Sequence, residues 1–212
     1  MPLVAPSMLS ADFLHLEKDV ELVNRYADFF HLDIMDGVFV PNISYGFPVV
    51  EAIASKAEKP MDAHLMIVRP EKYVERFAAT GVRMLSAHLE TMEEPRRVMD
   101  LIRSFGVRAG IAFNPDMPVE KVFPYLRYCD FVLVMSVFAG FGGQKFIEDT
   151  YGRIRTLKAE IIRLGAEVKI EVDGGVSPSN ARALAEAGAD ILVAGSAVFK
   201  AQDPAGVICS MK

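Results

Sequence analysis

Cysteine is scarce: the chain has two, Cys129 and Cys209, far apart and with no metal-type spacing. That excludes a disulfide-stapled scaffold and a thiolate metal site, and both are read as reduced packing residues of a cytosolic protein. Long apolar runs are also missing. Mean hydropathy is +0.24, yet the longest apolar stretch, FVLVMSVFAGFGG, is broken by glycines and a serine. It falls short of the ~18 residues of a membrane span, so the apolar excess belongs to a buried core and no membrane partner is expected. A basic surplus is absent too: net charge is −5 and the pI about 5.4. With no basic stretch to displace phosphate counterions, a nucleic-acid partner is not expected. Near the start stand Pro2, Pro6 and Asp12 rather than a basic segment before an apolar one. No secretory leader is expected, and the cytoplasm is the expected location.

What is present is alternation. The 212 residues are 51% hydrophobic and 24% charged, a globular composition that implies one domain over 1–212. Short β-branched runs alternate with segments of helical period. The strand candidates are Leu3–Met8, Phe29–Met35, Met61–Ile67, Met84–Leu89, Arg108–Phe113, Phe131–Val137, Val168–Val172 and Ile191–Ala194. The helix candidates are Leu14–Tyr26, Pro48–Ser55, Pro70–Thr80, Pro95–Phe105, Val119–Arg127, Asp149–Leu164, Pro178–Ala187 and Pro204–Met211. Pro70, Pro95 and Pro178 suit a first helical turn, where a missing N–H costs nothing. Ser177 is a candidate N-cap, and AATGV, RSFGV and EAGAD each put a glycine directly after a helix.

Strict βα alternation implies a parallel sheet, and near-continuous apolar strands imply one covered on both faces. Eight units at about 26 residues each make a compact (β/α)8 TIM barrel. The competing open, doubly wound sheet needs a glycine-rich turn after its first strand, and Ser7-Met8-Leu9-Ser10 has none.

In such a barrel, chemistry sits at the C-terminal ends of the strands. Polar residues embedded late in apolar runs are therefore the candidates. The second strand reads FHLDIMD, with His31, Asp33 and Met35 on one face. The third reads MDAHLM, with His64 two after Asp62. Adjacent strands bring His31, Asp33 and His64 together. The seventh ends IEVDGG, where Asp173 closes the strand and Glu171 shares its face. An ionised carboxylate in such a run is costly unless paired or bound to a metal. A buried His–Asp pair on the second strand and a helix-capping Asp173 remain the structural alternatives. Two histidines and two carboxylates converging at the barrel mouth suit a divalent ion, and two carboxylates flanking one carbon suit proton removal and return. His88 is read as a core residue or one standing behind the site. Glycines gather at three neighbouring strand ends: Gly140, Gly142 and Gly143, then Gly174 and Gly175, then Gly195 beside Ser196. They are either ordinary turns or a backbone cradle for a phosphate.

The segments APSMLSADF, HLDIMDGVFVPNISYG, DAHLMIVRPEKY, NPDMP, VMSVFAGFGGQKFI, EVDGGV and AGSAVF together make the chain resemble the ribulose-phosphate 3-epimerase family over essentially its full length. The resemblance implies a ribulose-phosphate-binding (β/α)8 barrel that interconverts D-ribulose 5-phosphate and D-xylulose 5-phosphate in the pentose phosphate pathway. It implies a two-base mechanism through a cis-enediolate. His31, Asp33, His64 and Asp173 would hold one divalent ion per chain, zinc first and manganese, ferrous iron or cobalt after it. Asp33 and Asp173 would also be the acid/base pair. Ser10 and His64 would contact substrate. Gly140, Phe141, Gly142, Gly143, Gly174, Gly175, Gly195 and Ser196 would hold the phosphate, and Met35, Met66 and Met135 would cap the enediolate. The implied partner is a small sugar phosphate, and the fold is compatible with a homo-oligomer. The related D-allulose 6-phosphate 3-epimerase is the alternative. A lyase on the same scaffold would want a lysine beside the strand aspartate, and HLDIMD and DAHLMI have none. A dead binding protein would not keep both aspartates. The family's acidic or amide residue followed by proline is replaced here by Phe138 and Ala139. This predicts a looser loop, with a raised KM and a preserved kcat.

Overall fold

The computed structural model describes residues 1–212. Eight strands form one all-parallel sheet: β1 Leu3–Pro6, β2 Phe30–Met35, β3 Met61–Met66, β4 Met84–His88, β5 Arg108–Phe113, β6 Phe131–Met135, β7 Lys169–Asp173 and β8 Ile191–Ala194. From β2 to β8 each strand pairs with its sequence neighbour, and β8 pairs with β1. The ring closes between β1 and β2 by fewer bonds. Val4 O accepts from Asp28 N at 3.0 Å and Phe29 N at 3.4 Å, and Ser7 pairs with His31 in a single bridge. Lys212 Nζ reaches Asp28 Oδ1 at 3.0 Å beside this seam.

The helices are α1 Leu16–Tyr26, α2 Phe47–Ala54, α3 Val74–Ala79, α4 Pro95–Ser104, α5 Thr150–Leu164, α6 Pro178–Ala187, α7 Ser196–Phe199 and α8 Pro204–Ser210. The sequence reading holds for most of them. Ser177 caps α6 in a reciprocal box with Asn180. Gly81, Gly106 and Gly188 adopt φ of +88°, +73° and +121° after their helices, as left-handed stops require. Three expectations fail. Pro70–Thr80 is not one continuous helix but a 3₁₀ turn, Pro70–Lys72, followed by the short α3. Val119–Arg127 is not a helix but two short 3₁₀ turns, Val119–Lys121 and Phe123–Tyr125. Pro124 falls inside this segment and supplies no N–H to continue a ladder. Cys129 is buried, but Cys209 is exposed, because the short α8 turns Ile208 rather than Cys209 inward.

Alternate strand residues face outward and pack under the helices, among them Leu32, Ile34, Ala63, Leu65, Leu85, Ile111, Val132 and Val172. The opposite set fills the barrel. Its floor is apolar: Ala5, Met84, Phe131, Ile191 and Val193. Gly110 makes room for the Phe131 ring, since a Cβ there would stand 2.2 Å from Phe131 Cζ. Above the floor the interior splits. The β5–β6 side is apolar, with Ala112, Leu133, Met135 and Val137. The β2–β3–β4 and β7 sides carry His31, Asp33, Asp62, His64, Ser86, His88 and Glu171, all buried. No helix is long and apolar enough to cross a membrane.

Candidate active site

Register sets the site. In the β2–β3 pair Asp33 stands beside His64, His31 beside Asp62, and Met35 beside Met66. Across the barrel Asp173 ends β7 beside Met135 of β6. The four residues singled out in the strands meet. His31 Nε2 is 3.4 Å from Asp33 Oδ1 and 3.9 Å from Asp173 Oδ2. His64 Nδ1 is 3.3 Å and 3.7 Å from the same two oxygens. His31 and His64 are wholly buried, and Asp173 keeps 16% of its side chain exposed.

Two features of this cluster fit a divalent cation. His31 Nε2 is buried and lacks a hydrogen-bond partner. The four ligand atoms all lie within 4.8 Å of one another. A tetrahedral set with bonds of about 2.0–2.2 Å spaces its ligands by roughly 3.3–3.6 Å, which is the spacing of the closest contacts here. Two imidazole nitrogens and two carboxylate oxygens make a donor set for zinc or a similar ion.

The electrostatics separate the two carboxylates. Burial raises the Asp33 pKa, but the His31 charge and the His64 imidazole beside it outweigh it, and Asp33 lies well below the usual carboxylate range. Burial, joined by the Asp33 charge, pushes Asp173 up to about 7. Burial takes His64 down to about 4 against the pull of Asp33. For His31 burial is overcome by the Asp33 charge and by the hydrogen bond to Asp62, which hold it well above the usual histidine range. One carboxylate is thus kept ionised and its neighbour kept ready to carry a proton, the division of labour acid–base chemistry needs.

Several residues that complete this arrangement were not singled out from sequence. Ser7 Oγ donates to Asp33 Oδ2 at 2.5 Å. Asp62 Oδ2 lies 2.7 Å from His31 Nδ1. Beneath them Glu171 is fully buried, 3.7 Å from the same nitrogen. Burial and the nearby Asp62 charge raise its pKa well above the usual range. His88 does stand behind the site, 2.9 Å from His64 Nε2. The signal for Asp62 and Glu171 was present, because each sits two residues before a site residue on the same strand face.

Above the cluster opens a cleft. It is lined by Ser10, Met35, Met66, Met135, Gly140, Phe141, Gly142, Gly143, Gly174, Gly175, Gly195 and Ser196, with Asp33 and Asp173 at its base. Ser7 and Gln144 also line it. His31 and His64 lie below the lining. Met35 and Met66 pack together with Ala139 against them, and Met135 belongs to the apolar wall that Ala139 also touches. The glycines are needed where they are. Gly174 and Gly175 have φ of +118° and +62°, and a Cβ at Gly174 would meet Val137 at 2.4 Å. A Cβ at Gly195 would stand 2.7 Å from Ser10 Oγ.

The loop after β6 is not loose. Ala139 N–H donates to Asn114 Oδ1 at 3.0 Å. Gln144 Nε2 donates to Phe138 O at 2.6 Å and Phe141 O at 2.8 Å. Asn42 Nδ2 donates to Gly140 O at 2.9 Å. This corrects the expectation that Ala139 relaxes the loop: an alanine supplies an N–H that a proline lacks, and here that N–H is bonded.

Solved structures share this fold at low identity. KGPDC from Streptococcus mutans superposes with a TM-score of 0.75 at 13% identity, covering 100% of this chain and 95% of that one. 3-Hexulose-6-phosphate synthase gives 0.70 at 16% identity, covering 99% and 96%. Sequence relatives are much nearer. Ribulose-phosphate 3-epimerase of Synechocystis is 45% identical over 99% of this chain and 92% of its own length. That of Aquifex aeolicus is 41% identical over 96% and 92%. The chloroplastic ribulose-5-phosphate-3-epimerase of Arabidopsis thaliana is 44% identical over 99% of this chain and 76% of its own length. The family model for ribulose-phosphate 3 epimerase matches residues 3–199, the span that carries all eight strands and the mouth they build. On that match this chain belongs to the ribulose-phosphate 3-epimerase family.

Proposed function

We propose that this protein interconverts D-ribulose 5-phosphate and D-xylulose 5-phosphate by inverting C3, with Asp33 and Asp173 as its two acid/base groups. The observation that carries the proposal is a pair of carboxylates, Asp33 and Asp173, that face the same two imidazole nitrogens from different strands of one barrel mouth. Inversion needs a proton removed from one face of a carbon and another delivered to the opposite face. Asp33 is ionised and fixed, with Ser7 on Oδ2 and the two imidazoles facing Oδ1. Asp173 stands across from it at the end of β7. In one direction Asp33 takes the C3 proton and Asp173 returns one from the other side; the reverse reaction exchanges the roles. His31, Asp33, His64 and Asp173 would hold one divalent ion, zinc first and manganese, ferrous iron or cobalt after it. When bound, such an ion supplies Lewis-acid polarisation of the C2 carbonyl beside the reacting carbon.

The rest of the cleft suits the other parts of the substrate. Ser10, Gly140, Phe141, Gly142, Gly143, Gly174, Gly175, Gly195 and Ser196 surround the space where backbone N–H groups take the phosphate. This lets a chain of charge −5 bind an anion without a lysine cluster. Met35, Met66 and Met135 keep water from the cis-enediolate. The relatives' names favour the five-carbon substrate, which belongs to the pentose phosphate pathway. The composition favours the cytoplasm.

The test is exchange of the C3 hydrogen of D-ribulose 5-phosphate with deuterated solvent, followed by NMR, alongside formation of D-xylulose 5-phosphate. Both are expected with the native chain. Asp33→Asn and Asp173→Asn should each lower turnover by at least ~10²–10⁴-fold with the circular dichroism spectrum unchanged. Turnover within a few-fold of native in either variant removes the two-base mechanism.

A further inference from the structure

His64 faces the site with Nδ1, and its Nε2 points away, 2.9 Å from Nε2 of His88. His88 is wholly buried at the end of β4. Its Nδ1 lies 3.3 Å from Glu90 Oε2, and Glu90 Oε1 accepts the backbone N–H of Asn114 at 2.8 Å. Two imidazole nitrogens that face each other share one proton, so one donates and the other accepts. The direction is fixed at the far end of the chain of contacts. A carboxylate accepts on both oxygens. Asn114 N–H takes one, and the other takes His88 Nδ1–H. His88 Nε2 is then a lone pair and accepts His64 Nε2–H. His64 Nδ1 is left as a lone pair aimed between Asp33 and Asp173.

We propose that Glu90 and His88 are positioning residues that set the tautomer of His64, so that Nδ1 presents a lone pair to the site. The proposal rests on the reading of His64 as a ligand. Asp62 does the same for His31 by direct contact, with Nδ1 held at 2.7 Å and Nε2 facing inward. The partner of a ligating histidine fixes its ring and tautomer. Here the partner of His64 is itself a histidine, and its instruction comes from Glu90.

Glu90→Gln inverts the relay. The amide has one acceptor oxygen, which Asn114 N–H claims, and its NH₂ must donate to His88 Nδ1. His88 then carries its proton on Nε2, His64 accepts it there, and the His64 proton moves to Nδ1, where it blocks a cation. Long-range ¹H–¹⁵N spectra of the full chain, as isolated and zinc-loaded, read the tautomer. Transfer of zinc from the loaded protein to a chromophoric chelator reads the affinity. In the native chain His64 should be the Nε2–H form. Glu90→Gln should show the Nδ1–H form when zinc is withdrawn and yield zinc ~10–100-fold more readily, and Glu90→Asp should recover both properties at least in part. An Nδ1–H His64 in the native chain overturns the proposal, as does a Glu90→Gln variant with native tautomer and native zinc retention. If the native chain takes up no zinc, the ligand reading fails, and the native tautomer still decides whether the relay runs as described.

Discussion

Ser7 donates to Asp33 across the seam of the barrel, Oγ to Oδ2 at 2.5 Å. That leaves Oδ1 alone to face His31 and His64. One oxygen of the proposed base is thereby spoken for, and the carboxylate plane is fixed. Ser7→Ala should free the carboxylate to rotate. A buried hydrogen bond to a charged group contributes about 1.5–3 kcal/mol. Expressed in the barrier, that is ~10–100-fold in kcat, with KM changing much less. Steady-state kinetics on D-ribulose 5-phosphate checks the split.

Chelation should abolish turnover, and one equivalent of a divalent ion per chain should restore it. His64→Gln should fail to recover on addition of zinc. Because His64 is buried and meets His88 edge to edge, with ring centroids 5.0 Å apart, removing the ring altogether would also cost thermal stability. Glutamine keeps more of the volume than alanine. Full activity of rigorously chelated native protein would refute the metal's role.

The stability of the metal-free chain should depend on pH through Asp173. Its pKa is raised from 3.8 to about 7 in the fold. The folded state therefore binds more protons than the unfolded chain between those values. Its contribution is fully present below about pH 4 and is lost as pH rises through 7. Asp173→Asn removes the titration. The native-minus-variant difference in unfolding free energy, from denaturant melts at pH 5 and pH 8, should move against the native chain at the higher pH. A flat difference would show that Asp173 ionises normally.

Asn114→Ala and Ala139→Pro should act alike, because each breaks the bond between Ala139 N–H and Asn114 Oδ1. A hydrogen bond of about 0.5–1.5 kcal/mol corresponds to a ~2–10-fold rise in KM with kcat largely kept. Measuring D-ribulose 5-phosphate and D-allulose 6-phosphate side by side also tests substrate choice. A drop in KM for Ala139→Pro would revive the view that the native loop is too loose.

The barrel was legible because strands buried on both faces leave unbroken apolar runs, and glycines and prolines mark the breaks between them. It was misread at Val119–Arg127, where helical spacing of apolar residues hid Pro124 and its missing donor. His31, Asp33, His64 and Asp173 stood out in the sequence because an ionisable group inside such a run is costly unless paired or bound, and the fold brings the four together. Ser7 did not stand out, because it is 26 residues from Asp33 and meets it only when the ring closes. Glu90 and Asn114 lie just past strand ends, where polar residues are ordinary. Only the hydrogen bonds between neighbouring strand ends give them a role.

The seam between β1 and β2 has a consequence for how long the fold lasts. The other strand pairs are laced along their length, whereas this one relies on Val4 O, a single bridge at Ser7 and the Asp28 contacts. His31 and Asp33 lie on β2 and Asp173 on β7, with β1 and β8 between them. Whatever grips those side chains from inside also acts as a hoop around the weakest stave. Resistance to local opening is lowest where backbone bonds are few. Under the proposed function, the persistence of the folded ring and the chemistry at its mouth therefore draw on the same side chains.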